Sequence, residues 1–290
     1  MDISEPEIKH EDILILEDDH FNTNNVCIVT GSGTGIGRAT AVAAAANQLM
    51  TVGLDVNEAE GMKTQKLARE MGGQMIFVKT DLCKDEDIQH AVAEAAKLGA
   101  IKYVANIAGI QHIDAVENFP MEKYDHMQKL MLRAPFYLSK LTFPHMRKSN
   151  DGTGAIGNMA SIHAHVSTLN KPVYNITKFG LRALTQSLAA EGDGKIRSFT
   201  VSTGFVKTAL TLNQVPAQAE QRGITPEEVV RDVMLGHSRI KEMMSPIEVG
   251  NLFLFGFSRF AKYLNGGDLL FDGGVVKTYA QKKMDKESNS

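Results

Sequence analysis

Val26-Cys-Ile-Val-Thr30-Gly31-Ser-Gly-Thr-Gly-Ile-Gly37 is the stretch that decides the fold of this 290-residue chain. Val26 to Thr30 is a short apolar run of strand type, and the alanine-rich run from Arg38 to Met50 reads as a helix. Strand, glycine loop and helix in that order give the glycines their meaning. Without Cβ atoms the loop can turn tightly and let a pyrophosphate approach the backbone N–H groups at a helix N-terminus. The spacing is Thr30-Gly-x-x-x-Gly-x-Gly37, not the dinucleotide fingerprint Gly-x-Gly-x-x-Gly. The next strand, Met50 to Leu54, ends in Asp55. A carboxylate there can accept hydrogen bonds from ribose hydroxyls and repels a 2′-phosphate, which favours NAD over NADP.

Outward from this unit, apolar runs alternate with helical patterns. The strand candidates are Val26–Thr30, Met50–Leu54, Met75–Val78, Tyr103–Asn106, Ala155–Met159, Arg197–Ser202 and Asp268–Phe271. This alternation predicts an α/β fold: one doubly wound parallel sheet of about seven strands, helices on both faces, and ligands beyond the carboxyl ends of the strands. The domain is expected over 26–276, with a lid at about 205–240, an acidic extension over 1–25 and a polar tail over 277–290. Ile13-Leu-Ile-Leu16 in the extension reads as a short extra strand or a docking segment on a neighbouring subunit, or else as part of a mobile acidic tail.

Composition narrows the classes. At 43% apolar residues the chain can bury one large core, and no break suggests a second domain. A formal charge of −3 without a basic run gives no nucleic-acid footprint. No apolar stretch approaches the roughly 18 residues of a membrane span, and the first residues lack a secretory or transit pattern. Cys27 and Cys83 lie in or beside strand-like segments, the pattern of buried reduced thiols in a cytoplasmic protein. The 14 methionines read as core filler. No metal is called for.

The second informative stretch runs from Ser161 through Tyr174 to Lys178. Tyr174 and Lys178 lie one turn apart on a helix expected from Pro172 to about Ala190. A phenol titrates near ~10 in the open, and an ammonium beside it favours the phenolate, which suits acid/base work. Ser161, arriving from a strand, could donate a hydrogen bond to the same reacting oxygen.

With both stretches in hand, the chain resembles the short-chain dehydrogenase/reductase family from about Val26 to Val276. The elements appear in family order: Thr30-Gly-x-x-x-Gly-Ile-Gly37, Asp81-Leu82, Asn106-Ile-Ala-Gly109, Ser161, Tyr174-x-x-x-Lys178 and Asp272-Gly-Gly274. The resemblance implies a Rossmann-type fold and an oxidoreductase acting on a CH–OH group. It implies that Gly31, Ser32, Gly35, Ile36, Gly37 and Asp55 hold the cofactor, with Asp81 and Leu82 beside the adenine. Asn106 to Gly109 would support the ribose and nicotinamide, joined by Gly204, Val206 and Thr208. Tyr174 would be the acid/base, Lys178 would lower its pKa and hold the nicotinamide ribose, and Ser161 would polarise the carbonyl. Pairing of long helices at 121–148 and 172–190 across a two-fold axis, in a homodimer or homotetramer, is implied as well.

Four more residues point to the substrate. His163 follows Ser161 by two, so in a continuing strand it faces the same side. Lys171 precedes Tyr174, Gln111 follows the Asn106–Gly109 turn, and Gln214 lies in the lid. Singly these are a capping His, a surface Lys and two loop glutamines. Jointly they would surround one small pocket with an ammonium, an imidazole and two amides, which suits a small carboxylate. The set resembles the D-3-hydroxybutyrate dehydrogenase branch, in Gly109-Ile-Gln-His112, Ser161-x-His163, Lys171 and Gln214. That implies reversible oxidation of (R)-3-hydroxybutyrate to acetoacetate with NAD. The other readings are a short-chain dehydrogenase for another small hydroxy or keto acid, a 3-oxoacyl reductase, or a weakly active or non-catalytic NAD-binding relative.

Three departures motivate those alternatives. Thr203-Gly204 stands where the family has Pro-Gly, and Phe205 and Val275 replace aromatic residues typical of the branch. Most importantly, Met131 occupies the place of a family Asn that holds a relay water for the catalytic Lys. Pro135, four residues on, has no N–H for the Met131 carbonyl. We therefore expect an irregular turn there, with backbone geometry substituting for the missing amide.

Overall fold

The structure is a computed structural model and describes residues 4–278. Its strands are β1 (Asn25–Thr30), β2 (Met50–Asp55), β3 (Met75–Lys79), β4 (Ala100–Asn106), β5 (Gly154–Met159), β6 (Ile196–Thr203) and β7 (Asp268–Phe271). All seven fall on the expected apolar runs. They pair in parallel in the order β3-β2-β1-β4-β5-β6-β7. The order reverses between β1 and β4, which opens a crevice at their carboxyl ends.

The helices are α1 (Gly35–Ala46), α2 (Glu58–Glu70), α3 (Asp85–Ala96), α4 (Met121–Gln128), α5 (Ala134–Lys148) and α6 (Pro172–Glu191). They continue as α7 (Ala209–Leu212), α8 (Val215–Arg222), α9 (Pro226–Glu228) and α10 (Pro246–Phe257). Each face of the sheet carries its own apolar layer. One joins Cys27 and Val29 to the alanines of α1 and to Phe253 and Phe257 of α10. The other joins Val26 and Ile28 to Ile88, Leu138 and Ile156. Strands buried on both sides explain why their sequences are continuous apolar runs rather than alternating ones. A third cluster, with Val215, Val229, Val230, Met234 and Met243, forms the lid's own core.

Three details correct the expectations. Helix α1 starts earlier and ends at Ala46, because Gln48 adopts φ +67° and the chain leaves the helix before β2. The segment 121–148 runs on as helical backbone but not as one regular α-helix: the expected irregularity takes the form of a five-residue π-turn, Lys129–Arg133, between α4 and α5. Ile13–Leu16 forms no strand. It lies as a strap across α1 and α10, with Ile13 buried. The Asn251 amide accepts from Leu14 N–H (2.9 Å) and donates to the Asp12 carbonyl (2.8 Å), while Asn47 does the same for Leu16 (2.8 Å) and Leu14 (2.9 Å).

Among the described residues, no helix is long and apolar enough to cross a membrane. The expected tail beyond residue 278 lies outside the described residues.

Candidate active site

A cleft of about 540 Å³ lies at the carboxyl ends of β1, β2 and β4. Gly31, Gly35, Ile36, Gly37, Asp55, Asp81, Leu82, Gly109 and Thr208 line it, all of them expected there. The glycine loop is built for close approach. Gly31 has φ +67°, and a Cβ on Gly37 would sit 1.9 Å from the Gly31 carbonyl oxygen, so the turn cannot exist with a side chain at 37. The loop's far side is fixed by Asp55: Oδ2 accepts from Gly33 N–H at 2.8 Å and Oδ1 from Asn57 N–H at 2.8 Å. Thr30 closes the other side, its hydroxyl accepting from the N–H of Ile107 (2.8 Å) and Ala108 (3.1 Å). A glycine cradle at the N-terminus of α1, with a carboxylate at the tip of β2, fits the pyrophosphate and the adenosine ribose of a nicotinamide dinucleotide. Among the described residues no cluster of three His, Cys, Asp or Glu could hold a metal ion.

Besides Tyr174 and Lys178, which lie beyond β5, four expected cofactor residues do not line this cleft. The Ser32 hydroxyl is buried without a partner, against Gly53 of β2. Asn106 donates to Asn158 Oδ1 (2.8 Å) and Asn158 Nδ2 donates to the Thr185 hydroxyl (2.8 Å), so these amides tie β4 through β5 to α6. Gly204 lines a separate pocket of about 230 Å³ between lid and sheet, and Val206 is buried in a bridge to Met244. The cleft wall also contains Thr34, Cys83, His126 and Leu130, which sequence reasoning did not select. His126 and Leu130 come from α4 and the π-turn, and only tertiary packing brings them to this wall. Cys83 is half-buried there, 3.6 Å from His126 Nδ1, rather than in the core. Burial and Asp81 push its thiol pKa up, while Cys27 is fully buried and its pKa is strongly raised by desolvation.

Ser161, Tyr174 and Lys178 meet beyond β5. The Lys178 ammonium is buried and donates to the Met159 carbonyl at 2.7 Å, with Nζ 5.3 Å from the Tyr174 ring centroid. Desolvation pulls its pKa down to about 8. The expected depression of the Tyr174 pKa is absent. Burial of the phenol dominates and pushes it up to about 12, with Ser161 acting in the opposite direction. Tyr174 is therefore held as the neutral acid in this state.

Of the substrate-side residues, His163 packs on Ser161 and Tyr174, Lys171 is near enough to act on His163 electrostatically, and Gln111 and Gln214 pair with each other. His163 is close to Ser161 for a different reason from the one expected. The strand stops at Met159, and a 3-10 turn, Ile162–Ala164, swings His163 back over Ser161. Ser161 Oγ accepts the His163 backbone N–H (3.2 Å) and pairs with its Nδ1 (3.2 Å), while the imidazole packs edge-on against Tyr174 at 5.5 Å. Burial, Lys171 and Lys178 lower the His163 pKa to about 4. Lys171 is half-buried, and desolvation lowers its pKa too. It is presented by Asn170, whose φ of +60° is a left-handed turn that Asn tolerates, and whose carbonyl accepts from Asp114 N–H (2.9 Å). From the lid, Gln214 Nε2 donates to Gln111 Oε1 at 3.2 Å. Gln111 Nε2 and His163 Nε2 are among the buried nitrogens with no hydrogen-bond partner.

Met131 lies fully buried with Met127, Val173, Ile110 and Tyr174, and a Cβ on Gly109 would be 3.3 Å from its sulfur. Its thioether thus packs beneath the turn and beside the phenol. The backbone there is irregular, as expected: Ala134 N–H bonds to Lys129 O, five residues back, and Pro135 offers Met131 O no N–H.

Residues 31–276 match a protein family described as enoyl-(acyl carrier protein) reductase. The D-beta-hydroxybutyrate dehydrogenase of Rhizobium meliloti (strain 1021) is 30% identical over 251 residues, covering 85% of this chain and 96% of that protein. The 2-dehydro-3-deoxy-D-gluconate 5-dehydrogenase of Bacillus subtilis (strain 168) is 29% identical over 248 residues, 85% of this chain and 92% of that one. A solved structure from Beutenbergia cavernae, described as an NAD(P) dependent gluconate 5-dehydrogenase with bound NADP, superposes with a TM-score of 0.79 at 23% identity, covering 89% of this chain and all of that one. The glycine cradle, the Ser-Tyr-Lys cluster and these likenesses have one common explanation: the chain belongs to the short-chain dehydrogenase/reductase family of oxidoreductases.

Proposed function

We propose that this protein reversibly oxidises (R)-3-hydroxybutyrate, or a 3-hydroxy acid of similar size, to the 3-oxo acid, using NAD. One observation carries the reading: His163, packed on Tyr174, has a buried Nε2 without a partner and faces the charge of the Lys171 ammonium, and Gln111 carries a buried amide nitrogen without a partner. A buried amide donor without a partner is unfavourable, and a carboxylate accepts from it, from the ammonium, and from His163 once the imidazole is protonated. The likeness to the Rhizobium meliloti enzyme supports the same choice. NAD is favoured over NADP by Asp55, and also because Arg38, the nearest cation of α1, is already held by Glu60 (2.5 Å) and Thr64 (3.0 Å).

The cofactor, once bound, supplies the hydride acceptor. Tyr174 exchanges the proton with the substrate oxygen. Ser161 steadies that oxygen: with His163 Nδ1–H donating to Ser161 Oγ, the serine hydrogen is left for the substrate. In that tautomer a neutral His163 has no hydrogen on Nε2, so donating to a carboxylate as well requires the imidazolium. Lys178, anchored on Met159 O, favours the phenolate as it forms.

The test is NADH formation with (R)- and (S)-3-hydroxy acids and their uncharged analogues, with NADP⁺ as the control. Turnover is expected for the (R)-acids with NAD⁺. Equal activity on uncharged 3-hydroxy compounds would sink the reading.

We also propose that a second copy covers the apolar strip on α5 and α6, where Phe136, Ile176 and Phe179 are exposed. Phe136→Asp is expected to shift sedimentation to a smaller species; an unchanged profile would rule out this face.

A further inference from the structure

The segment from Ser161 to Lys171 carries three of the proposed site residues, yet its middle is no regular element beyond the turn at Ile162–Ala164. Its anchor is His165. The imidazole is largely shielded, 9% exposed, and Nε2 lies 2.7 Å from Oδ2 of Asp268, the first residue of β7 and 103 positions away. The other oxygen of Asp268 accepts from the hydroxyls of Thr200 (2.6 Å) and Ser202 (2.8 Å) on β6. A carboxylate only accepts, so His165 donates through Nε2–H and its tautomer is set. Thr200 and Ser202 lie two apart on one strand and face the same side, which locks the carboxylate toward the loop. From α6, Arg182 donates to the carbonyl of Ala164 (2.8 Å), next to His165.

The sheet does not need this cluster. Strands β6 and β7 already pair in parallel from Thr200↔Asp268 to Thr203↔Phe271. Burying a carboxylate, an imidazole and two hydroxyls stabilises a fold no better than apolar side chains of similar volume would. What such a network supplies is a single orientation.

We propose that His165 and Asp268 are positioning residues. They pin the loop against β6 and β7 so that Ser161 and His163 face Tyr174 in one fixed geometry. The inference rests on the proposed oxidoreductase site, but it concerns the loop and can be read without turnover.

The experiment uses the full chain and three forms: wild type, His165→Leu and His165→Gln. Leucine keeps bulk but removes the donor, and glutamine restores an N–H. Amide hydrogen exchange is followed at Ala164, His165 and Val166, whose N–H groups bond within the turn, and at Thr200 and Gly204 in the sheet. In His165→Leu, exchange at the three loop amides is expected to rise by about tenfold or more while the sheet amides keep their protection. With a substrate from the hydroxy-acid panel, kcat/KM should fall by about tenfold or more, as misplacement of reacting groups predicts, with the Kd for NADH unchanged. His165→Gln should recover both. Unchanged loop exchange in His165→Leu overturns the proposal. So does loosening of loop and sheet together, or leucine and glutamine behaving alike. If His165→Leu does not fold, Asp268→Asn, which keeps the volume, is measured in its place: selective loop exchange supports the proposal, and exchange like wild type overturns it. Failure of the wild type on every hydroxy acid would defeat the proposed function instead, and the exchange result would still decide the role of the pair.

Discussion

Tyr174→Phe is expected to lower turnover of the hydroxy acid by about 10²- to 10⁴-fold, the span usual for removing a general acid/base, while NADH binds as before. The substitution removes one oxygen and leaves the ring against His163 and in the cluster with Met131 and Val173. The stability of the fold should change little, so the loss would be chemical. The pH dependence has a definite sign. With the phenol pushed up to about 12, Tyr174 is protonated throughout the neutral range. Reduction of the oxo acid uses that proton and should be nearly independent of pH from 6 to 10, falling only as the pH approaches 12. Oxidation of the alcohol needs the phenolate and should accelerate with pH. Lys178, depressed to about 8, is an ammonium only below that point, so its help to the phenolate fades above it and the oxidative profile should flatten. Initial rates in both directions across pH 6–10 check this, and a Phe variant retaining more than about a tenth of the activity would remove Tyr174 from the role.

Lys171→Ala should raise KM for the hydroxy acid by about 10- to 100-fold, the equivalent of one charge-assisted hydrogen bond, and leave KM for NAD⁺ and kcat within a few-fold. The Lys171 ammonium already disfavours charge on His163, and a bound carboxylate offsets that. Binding the acid therefore favours protonation of His163, whose pKa of about 4 in the free protein leaves it neutral. Affinity for the acid should be higher at low pH and weaken as pH rises. In Lys171→Ala one cause of the low His163 pKa is gone, so that weakening should move to higher pH. Steady-state KM against pH for wild type and variant measures the shift. Parallel loss of KM for acid and for NAD⁺ would show that Lys171 only supports the fold.

The fold was legible because its signals are local. Continuous apolar runs, a glycine loop and amphipathic gaps need no knowledge of what packs where, and all seven strands followed from them. The glycine loop and Asp55 were legible for the same reason. What failed needed tertiary information. Asn106 carries a polar side chain at a strand end, and only its partner on β5 reveals that it points away from the cleft. The pKa of Tyr174 depends on how much protein surrounds the phenol, and spacing to Lys178 does not report burial. His163 reached its place by a turn that the sequence between Ser161 and Lys171 does not advertise. The irregular helix near Met131 was foreseeable because proline acts on its own backbone. The five-residue register of that turn was not.

The strap over α1 and α10 has a consequence for how the chain assembles. Its backbone is gripped by Asn47 from one helix and Asn251 from the other, and the second of these is 239 positions from Asp12. Asn47 can hold part of it once α1 has formed, but the grip is complete only when α10 lies alongside and Asn251 is in place. During synthesis full docking of these early residues must wait for nearly the whole domain to emerge and pack. The strap is thus a closing clasp, fastened after the rest of the garment is on, and its docking reports that folding is complete.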